Sequence, residues 1–347
     1  MTKKILITGG CGFIGTNAAR FYLQKGYTVI SVDNLKRNGS KKNLGWLKTL
    51  KGNFTFEKAD IVDFKKLSKI FNEYKPDLIL HLAAQTTVVD SVSDPRNDFY
   101  VNALGTFNVL EAVRKEVPLA SLIYSSTNKV FGDLKQIPIA KKGERYFFKY
   151  IKGISEKYPL NFQSPYGCSK GCGDQYVLDY AKLFKLKTVV FRQSCIYGPN
   201  QFGKEEQGWL TWFVVSSILG NKVTVYGDGK QVRDVLYIDD LINAYDLAFT
   251  NISKTRGKVY NIGGSIKFIL SVLESFKIIE KLANKKINFK FGPWRPSDQK
   301  VYISDISSAK KDFGWSPEIS PKIGIARLYK WVAENKHFFK SANILKK

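Results

Sequence analysis

Ile5-Leu6-Ile7-Thr8-Gly9-Gly10-Cys11-Gly12-Phe13-Ile14-Gly15 runs a short apolar segment directly into glycines at positions 9, 12 and 15. Gly9 can make a tight turn out of a strand, Gly12 lets the backbone approach a pyrophosphate, and Gly15 lets the next helix pack closely on the strand. That helix would aim unpaired N–H groups and a partial positive charge at the phosphates. The triplet alone also describes an ordinary strand–helix turn, so its surroundings decide. Asp33 closes the next apolar run, 18 residues after Gly15, where an acid accepts hydrogen bonds from adenosine ribose hydroxyls and repels a 2′-phosphate. The pattern predicts NAD as cofactor in preference to NADP, with Lys36 and Arg37 pulling the other way.

Outward from this turn, the first 192 residues alternate apolar, β-branched runs with helical patterns. Strands are predicted over 4–8, 28–33, 54–58, 77–82, 121–125 and 188–192, and helices over 13–25, 63–72, 97–115 and 165–184. Such alternation implies parallel strands with crossover helices, an α/β fold with a doubly wound sheet. The unbroken Leu78-Ile79-Leu80 suits a strand buried on both faces. After Arg192 the loops lengthen, and only a helix over 238–249 and a strand over 258–262 are expected to rejoin the sheet. The expected division is a dinucleotide-binding domain from 1–192 and 236–262, with a smaller mixed α/β C-terminal substrate domain from 193–235 and 263–347. The second is expected to be built from insertions and tail rather than tethered on a linker.

Composition narrows the partners. The 347 residues are 44% hydrophobic and 14% aromatic, which is enough for a large core. No apolar stretch reaches 18 residues, so no membrane association is expected. Lys3-Lys4 and the apolar run could open a signal peptide, but the glycines interrupt it at once and a buried strand fits better. Of the 55 basic residues behind the +25 charge, ten are arginine, and the lysines are spread along the chain. Nucleic-acid binders cluster such residues, so the reading is a solvated lysine-rich surface with no nucleic-acid partner. Cys11, Cys168, Cys172 and Cys195 accompany only two histidines, His81 and His337. Cys168 and Cys172 share helical spacing but have no histidine nearby, so no metal site is expected and a reducing, cytoplasmic setting is the simplest reading.

Tyr166-Gly167-Cys168-Ser169-Lys170 opens a predicted helix, which places Tyr166 and Lys170 one turn apart on one face. Tyr-x-x-x-Lys is common on any helix and says little alone. Upstream, Ser125-Ser126-Thr127 puts hydroxyls at a strand's carboxyl end, where doubly wound sheets bind ligands.

Together these residues resemble the extended short-chain dehydrogenase/reductases, whose dinucleotide domain is of the Rossmann type. The supporting motifs are the glycine triplet, Asp60-Ile61, His81-Leu82-Ala83-Ala84, Ser125-Ser126-Thr127, Tyr166-x-x-x-Lys170, Tyr197-Gly198-Pro199, Arg233-Asp234-Val235 and Asn261-Ile262-Gly263-Gly264. The resemblance implies Tyr166 as general base, Lys170 as its activator and ribose clamp, and Thr127 as partner of the reacting hydroxyl. It implies cofactor contacts from Gly9, Gly12, Phe13, Ile14, Gly15, Asp33, Asn34, Asp60, Ile61, Leu82, Ala83, Ala84, Asn102, Ser125, Tyr166 and Lys170. Asn102 corresponds to an asparagine that helps hold the catalytic region. A free tyrosine titrates near ~10, so a phenolate at neutral pH needs about 4 kcal/mol of help from neighbouring positive charge.

Within that family the closer similarity is to CDP-paratose 2-epimerases. It rests on the segments 125–133 and 164–171, on Gln207-Gly208-Trp209, on 229–236, and on a 39-residue interval between Thr127 and Tyr166. Phe131 departs from the usual tyrosine. The implied reaction is inversion at sugar C2 by transient oxidation, since an unactivated C–H bond cannot be inverted by proton abstraction alone; the products would feed lipopolysaccharide O-antigen synthesis. The implied substrate is a nucleotide-diphosphate sugar, CDP-linked, bound by Thr127, Gln207, Trp209, Arg233, Arg295 and Asp298 in a homodimer or homotetramer. The alternatives are a UDP-sugar 4-epimerase, a 4,6-dehydratase and, in another class, a non-catalytic NAD(H)-binding regulator. Dehydratases carry an acidic pair where this chain has Asn128-Lys129, and a regulator would not need both Tyr166 and Lys170.

Overall fold

The computed structural model describes residues 2–295 and 298–340. Seven strands form its main sheet: β1 (Lys4–Thr8), β2 (Thr28–Asp33), β3 (Phe54–Lys58), β4 (Leu78–His81), β5 (Ser121–Thr127), β6 (Lys187–Gln193) and β7 (Lys258–Ile262). All neighbours pair in parallel, in the order β7-β6-β5-β4-β1-β2-β3. Every predicted strand is present within two residues of its expected ends. Five helices flank the sheet: α1 (Phe13–Gln24), α2 (Phe64–Tyr74), α3 (Gly105–Glu116), α4 (Pro165–Leu183) and α5 (Ile238–Thr250).

The two-residue period of a strand sorts the apolar residues between the faces. Ile5, Ile7, Val29, Leu78, Leu80, Ile123, Val189 and Phe191 enter one core with Ala18, Tyr22, Ala244 and Tyr245 of α1 and α5. Leu6, Ile30, Ile79, Leu122, Tyr124 and Val190 enter the other, with Phe71, Val109, Leu110, Val113 and Val177 of α2, α3 and α4. Strand order reverses between β1 and β4, and the crevice at their carboxyl ends is where such sheets hold ligands.

One predicted helix is corrected. The stretch 97–115 is not continuous α-helix: Pro95–Phe99 is α-helical, Tyr100–Leu104 is a π turn, and α3 follows. Tight packing on this segment accompanies the change, since a Cβ at Gly105 would meet Ile61 Cδ1 at 2.5 Å and Thr106 Oγ1 donates back to the Asn102 carbonyl at 2.6 Å. The wider turn brings Asn102 into a polar network described below, and π turns recur at functional sites. A short helix, Ser40–Leu47, has no counterpart in the sequence reading; it starts from left-handed Gly39 without a side-chain cap and contains Gly45, so it carries no start signal.

Beyond β6 the strand Val232–Tyr237 is the hub. It pairs in parallel with Cys195–Tyr197 and Val301–Tyr302 and antiparallel with Ile269–Ser271. The interval between Thr127 and Tyr166 holds a hairpin, Ile139–Lys142 with Arg145–Phe148. Tyr146 ties it to the hub's approach, its N–H donating to the Lys230 carbonyl and its hydroxyl to Asp228 at 2.7 Å. Val130, Phe131, Phe148, Val232 and Tyr302 share a third core, which fixes the segment leaving β5 against the second region.

Candidate active site

The turn after β1 leaves no room for a side chain at Gly9, Gly10 or Gly15. Gly9 has φ +68°, and a Cβ there would lie 2.7 Å from the Ala83 amide nitrogen; one at Gly15 would strike the Gly9 carbonyl. Gly10, which the triplet reading passed over, is equally confined, against Ser31 Oγ. Among the described residues, no side chain caps α1 at Gly12 and no acid sits in its first turn. The helix start lines a cleft formed by Gly9, Gly12, Phe13, Ile14, Gly15, Asp33, Asn34, Asp60, Ile61, Leu82, Ala83 and Ala84. Asp33 accepts from the Cys11 amide at 3.0 Å and the Leu35 amide at 2.8 Å. Burial pushes its carboxyl up, and those two amides pull it back. Asn34 donates to Asp60 at 2.9 Å, and Lys36 pairs with the same carboxylate at 3.1 Å. A cradle closed to a Cβ at Gly9, Gly10 and Gly15, an uncapped helix start and a carboxylate ending β2 together suit the diphosphate and ribose of an adenine dinucleotide.

At the carboxyl end of β5, the Thr127 hydroxyl lies close to the Tyr166 phenol. Burial pushes that phenol above its usual range, while the neighbouring Thr127 hydroxyl and the Arg37 guanidinium lower it. Lys170, one turn along α4, is buried with its ammonium 4.1 Å from the Tyr124 ring centroid. Desolvation lowers it to about 7, while Asp174 and Asp98 hold it up.

Two supports of this centre, Asp98 and Asp174, were not singled out from sequence; Asn102 was. Asp98 is fully buried and accepts from Ser169 Oγ at 2.5 Å and from Asn102 Nδ2 at 3.1 Å. Asn102 also exchanges two hydrogen bonds with the Gln85 backbone, so it straps the loop after β4 to α4. Asp174 takes Arg192 at 2.9 and 3.0 Å and Ser126 at 2.8 Å, pinning α4 to β5 and β6. The available signal was the i,i+4 spacing of Asp98 with Asn102 and of Lys170 with Asp174. His81 is a packed strand-end histidine between Thr8 Oγ1 (2.8 Å) and Thr106 Oγ1 (3.0 Å), and burial lowers it to about 3.

The residues expected at the substrate fall into two groups. Arg233 donates to Asp298 at 2.7 Å. Arg295 stacks its guanidinium 3.9 Å from the Tyr226 ring centroid. The Asp298 carboxylate thus accepts from Arg233, while its backbone N–H donates to the Arg295 carbonyl at 3.3 Å. Burial would raise Asp298, but Arg233, Lys129 and Arg295 hold it below the usual carboxylate range. Gln207 lies elsewhere, at the dinucleotide cleft, bonded to Arg37 and to Thr86. Trp209 donates its indole N–H to Cys195 Sγ at 2.9 Å and packs edge-on against Phe213. All four cysteines are free, and among the described residues no three His, Cys, Asp or Glu side chains converge on a metal position and no helix is long and apolar enough to cross a membrane.

A family model described as GDP-mannose 4,6 dehydratase matches residues 6–328. The chain belongs to that family. To a fellow relative, the CDP-paratose 2-epimerase of Salmonella typhi, it is 45% identical over 95% of this chain and 99% of that protein. UDP-glucuronic acid 4-epimerase from Bacillus cereus, solved with UDP-glucuronic acid and NAD, superposes with a TM-score of 0.82 at 29% identity, covering 96% of this chain and 99% of that one. The dTDP-glucose 4,6-dehydratase of Bacillus anthracis, solved with NAD, gives 0.82 at 29% identity, covering 98% and 99%.

Proposed function

We propose that this chain is an NAD-dependent nucleotide-sugar epimerase that inverts C2 of a CDP-linked 3,6-dideoxyhexose, taking CDP-paratose to CDP-tyvelose. The observation that carries this reading is the Thr127–Tyr166 pair, backed by buried Lys170, at the carboxyl end of β5 beside the dinucleotide cleft. The 45% identity to a CDP-paratose 2-epimerase supports the choice of sugar and base, and Asn128-Lys129 in place of an acidic pair supports epimerisation over elimination.

NAD, held by Gly9, Gly12, Phe13, Ile14, Gly15, Asp33 and the walls of the cleft, supplies a reversible hydride acceptor when bound. The chain's own residues handle the proton. Thr127 holds the sugar 2-hydroxyl, and Tyr166 takes its proton and later returns it. Lys170 stabilises the phenolate only as an ammonium. Since burial raises Tyr166 and lowers Lys170 in the protein alone, the base depends on further positive charge in the cleft. Arg233 and Arg295 bind the diphosphate through guanidinium forks, which anchors the nucleotide while the oxidised sugar presents its other face.

The same reading assigns 1–192 and 236–262 to the dinucleotide and 193–235 and 263–347 to the sugar nucleotide. It also assigns a homodimer or homotetramer, supported by the exposed Phe107–Tyr176 pair on α3 and α4, with ring centroids 5.8 Å apart. The test is incubation with CDP-, UDP- and dTDP-linked sugars and NMR of the products. Inversion at C2 of the CDP-linked 3,6-dideoxyhexose is expected; turnover only at C4 of UDP-hexoses would contradict it.

A further inference from the structure

Lys129 stands two residues beyond Thr127, and its backbone N–H donates to Thr127 Oγ1 at 3.2 Å. It is therefore fixed to the hydroxyl that meets Tyr166. Its side chain leaves the reaction centre and reaches the second region, with the ammonium 3.6 Å from Asp298. Only a quarter of that side chain is exposed. Asp298 is also the acceptor of Arg233, and Arg295 is the third cation acting on it. Glu205 offers Arg295 only its backbone carbonyl, its carboxylate accepting from the Tyr226 hydroxyl at 3.1 Å. Three cations thus share one carboxylate, so among the described residues this cluster carries two more positive charges than negative.

Half-buried like charges repel, and burial with Arg233 and Arg295 already pushes the Lys129 ammonium down against the pull of Asp298. A ligand carrying two negative charges would relieve this, as a nucleoside diphosphate does. Arg233 and Arg295 are attached to the hub strand and the loop before Asp298, whereas Lys129 alone is tied to the reaction centre.

We infer that Lys129 is a specificity-determining residue whose ammonium binds the sugar-side phosphate of the nucleotide diphosphate, with Asp298 as its resting partner. This rests on the nucleotide-sugar reading above and adds a residue and a phosphate to it. It explains why a cation occupies the position: the phosphate nearest the sugar is held from the same segment that presents Thr127, so binding and alignment of C2 are coupled.

The test is titration calorimetry of the NAD-loaded full chain with CDP and with CMP. Lys129→Gln is expected to weaken CDP roughly tenfold, the size of one charge-assisted hydrogen bond, and to leave CMP nearly unchanged. Lys129→Arg should restore most of the loss, and retained NAD and melting temperature show that the variants fold. An unchanged CDP affinity, or equal losses for CDP and CMP, would overturn the inference. A second measurement needs no variant: acetylation of Lys129, read by mass spectrometry, should be suppressed by CDP and not by CMP, and equal protection by both would contradict it. If the base were uracil instead, UDP against UMP would show the same contrast, so failure of the cytidine assignment is separable from failure of this one.

Discussion

The two halves of the candidate site are built from opposite materials. Around the turn after β1, the decisive residues are those with no side chain at all: Gly9, Gly10 and Gly15 sit where any Cβ would strike backbone or Ser31. Around Asp298, the decisive atoms are the ends of long side chains, brought from the exit of β5 (Lys129), the hub strand (Arg233) and the loop before Asp298 (Arg295). A backbone-built site is fixed once the strand and helix form. A site built from side chains depends on three separate segments docking, and it can change its ligand by exchanging one residue without disturbing the fold. This division fits a family whose relatives keep the dinucleotide while differing in the sugar.

The sharpest break lies between the halves. Tyr166→Phe removes the proton acceptor but no backbone contact, so turnover should fall roughly 10²–10⁴-fold while bound NAD and the fold remain. Steady-state rates with the nucleotide content of the same samples check both statements; a near-normal rate would move the base elsewhere.

Gly9→Ala should strike the backbone-built half alone. At φ +68° with Ala83 2.7 Å away, strain of about 1–3 kcal/mol is expected, and with it loss of most copurifying cofactor. Denaturing the purified protein and identifying what is released is the measurement. The intact protein should yield NAD and not NADP, because Asp33 ends β2 at the ribose; recovery of NADP would refute that role.

A smaller effect should sharpen the account of the supports. Asp98 raises both Lys170 and Tyr166. Asp98→Asn should therefore lower both, moving the whole pH–rate profile to lower pH, with a loss of about tenfold in kcat. A purely structural role for Asp98 would lower the rate without moving the profile.

The least of these concerns His81, which staples β4 beneath both halves. Its folded value of about 3 lies below the unfolded ~6.5. Above pH ~6.5 neither state binds the proton; below it only the unfolded state does, so stability falls with pH, by about 2 kcal/mol at pH 5. With two histidines in the chain, NMR can follow them directly, and His81 should not titrate between pH 8 and 5.

What could be read from the sequence follows the same division. The strands, the crossover helices and the dinucleotide turn were legible because each is encoded in consecutive residues: a run such as Leu78-Ile79-Leu80, or three glycines at fixed spacing. The π turn at Tyr100–Leu104 was not, because it reflects what Asn102 and Gly105 meet in Gln85, Ser169 and Ile61. Arg233, Arg295 and Asp298 could be named as residues, but that the Asp298 carboxylate accepts from Arg233, 65 positions away, could not be read from their order in the chain. Lys129 could be noticed only as the absence of an acid. Its reach to Asp298 is a tertiary fact.

In the proposed epimerisation Tyr166 and Thr127 serve a transient oxidation at C2, with the removed hydrogen kept inside the site. Running the epimerisation of CDP-paratose in D₂O and examining C2 of both epimers by NMR tests it most directly. Inversion with C2 hydrogen fully retained and no deuterium at that carbon is the predicted result. Deuterium incorporated at C2 as inversion proceeds would contradict it.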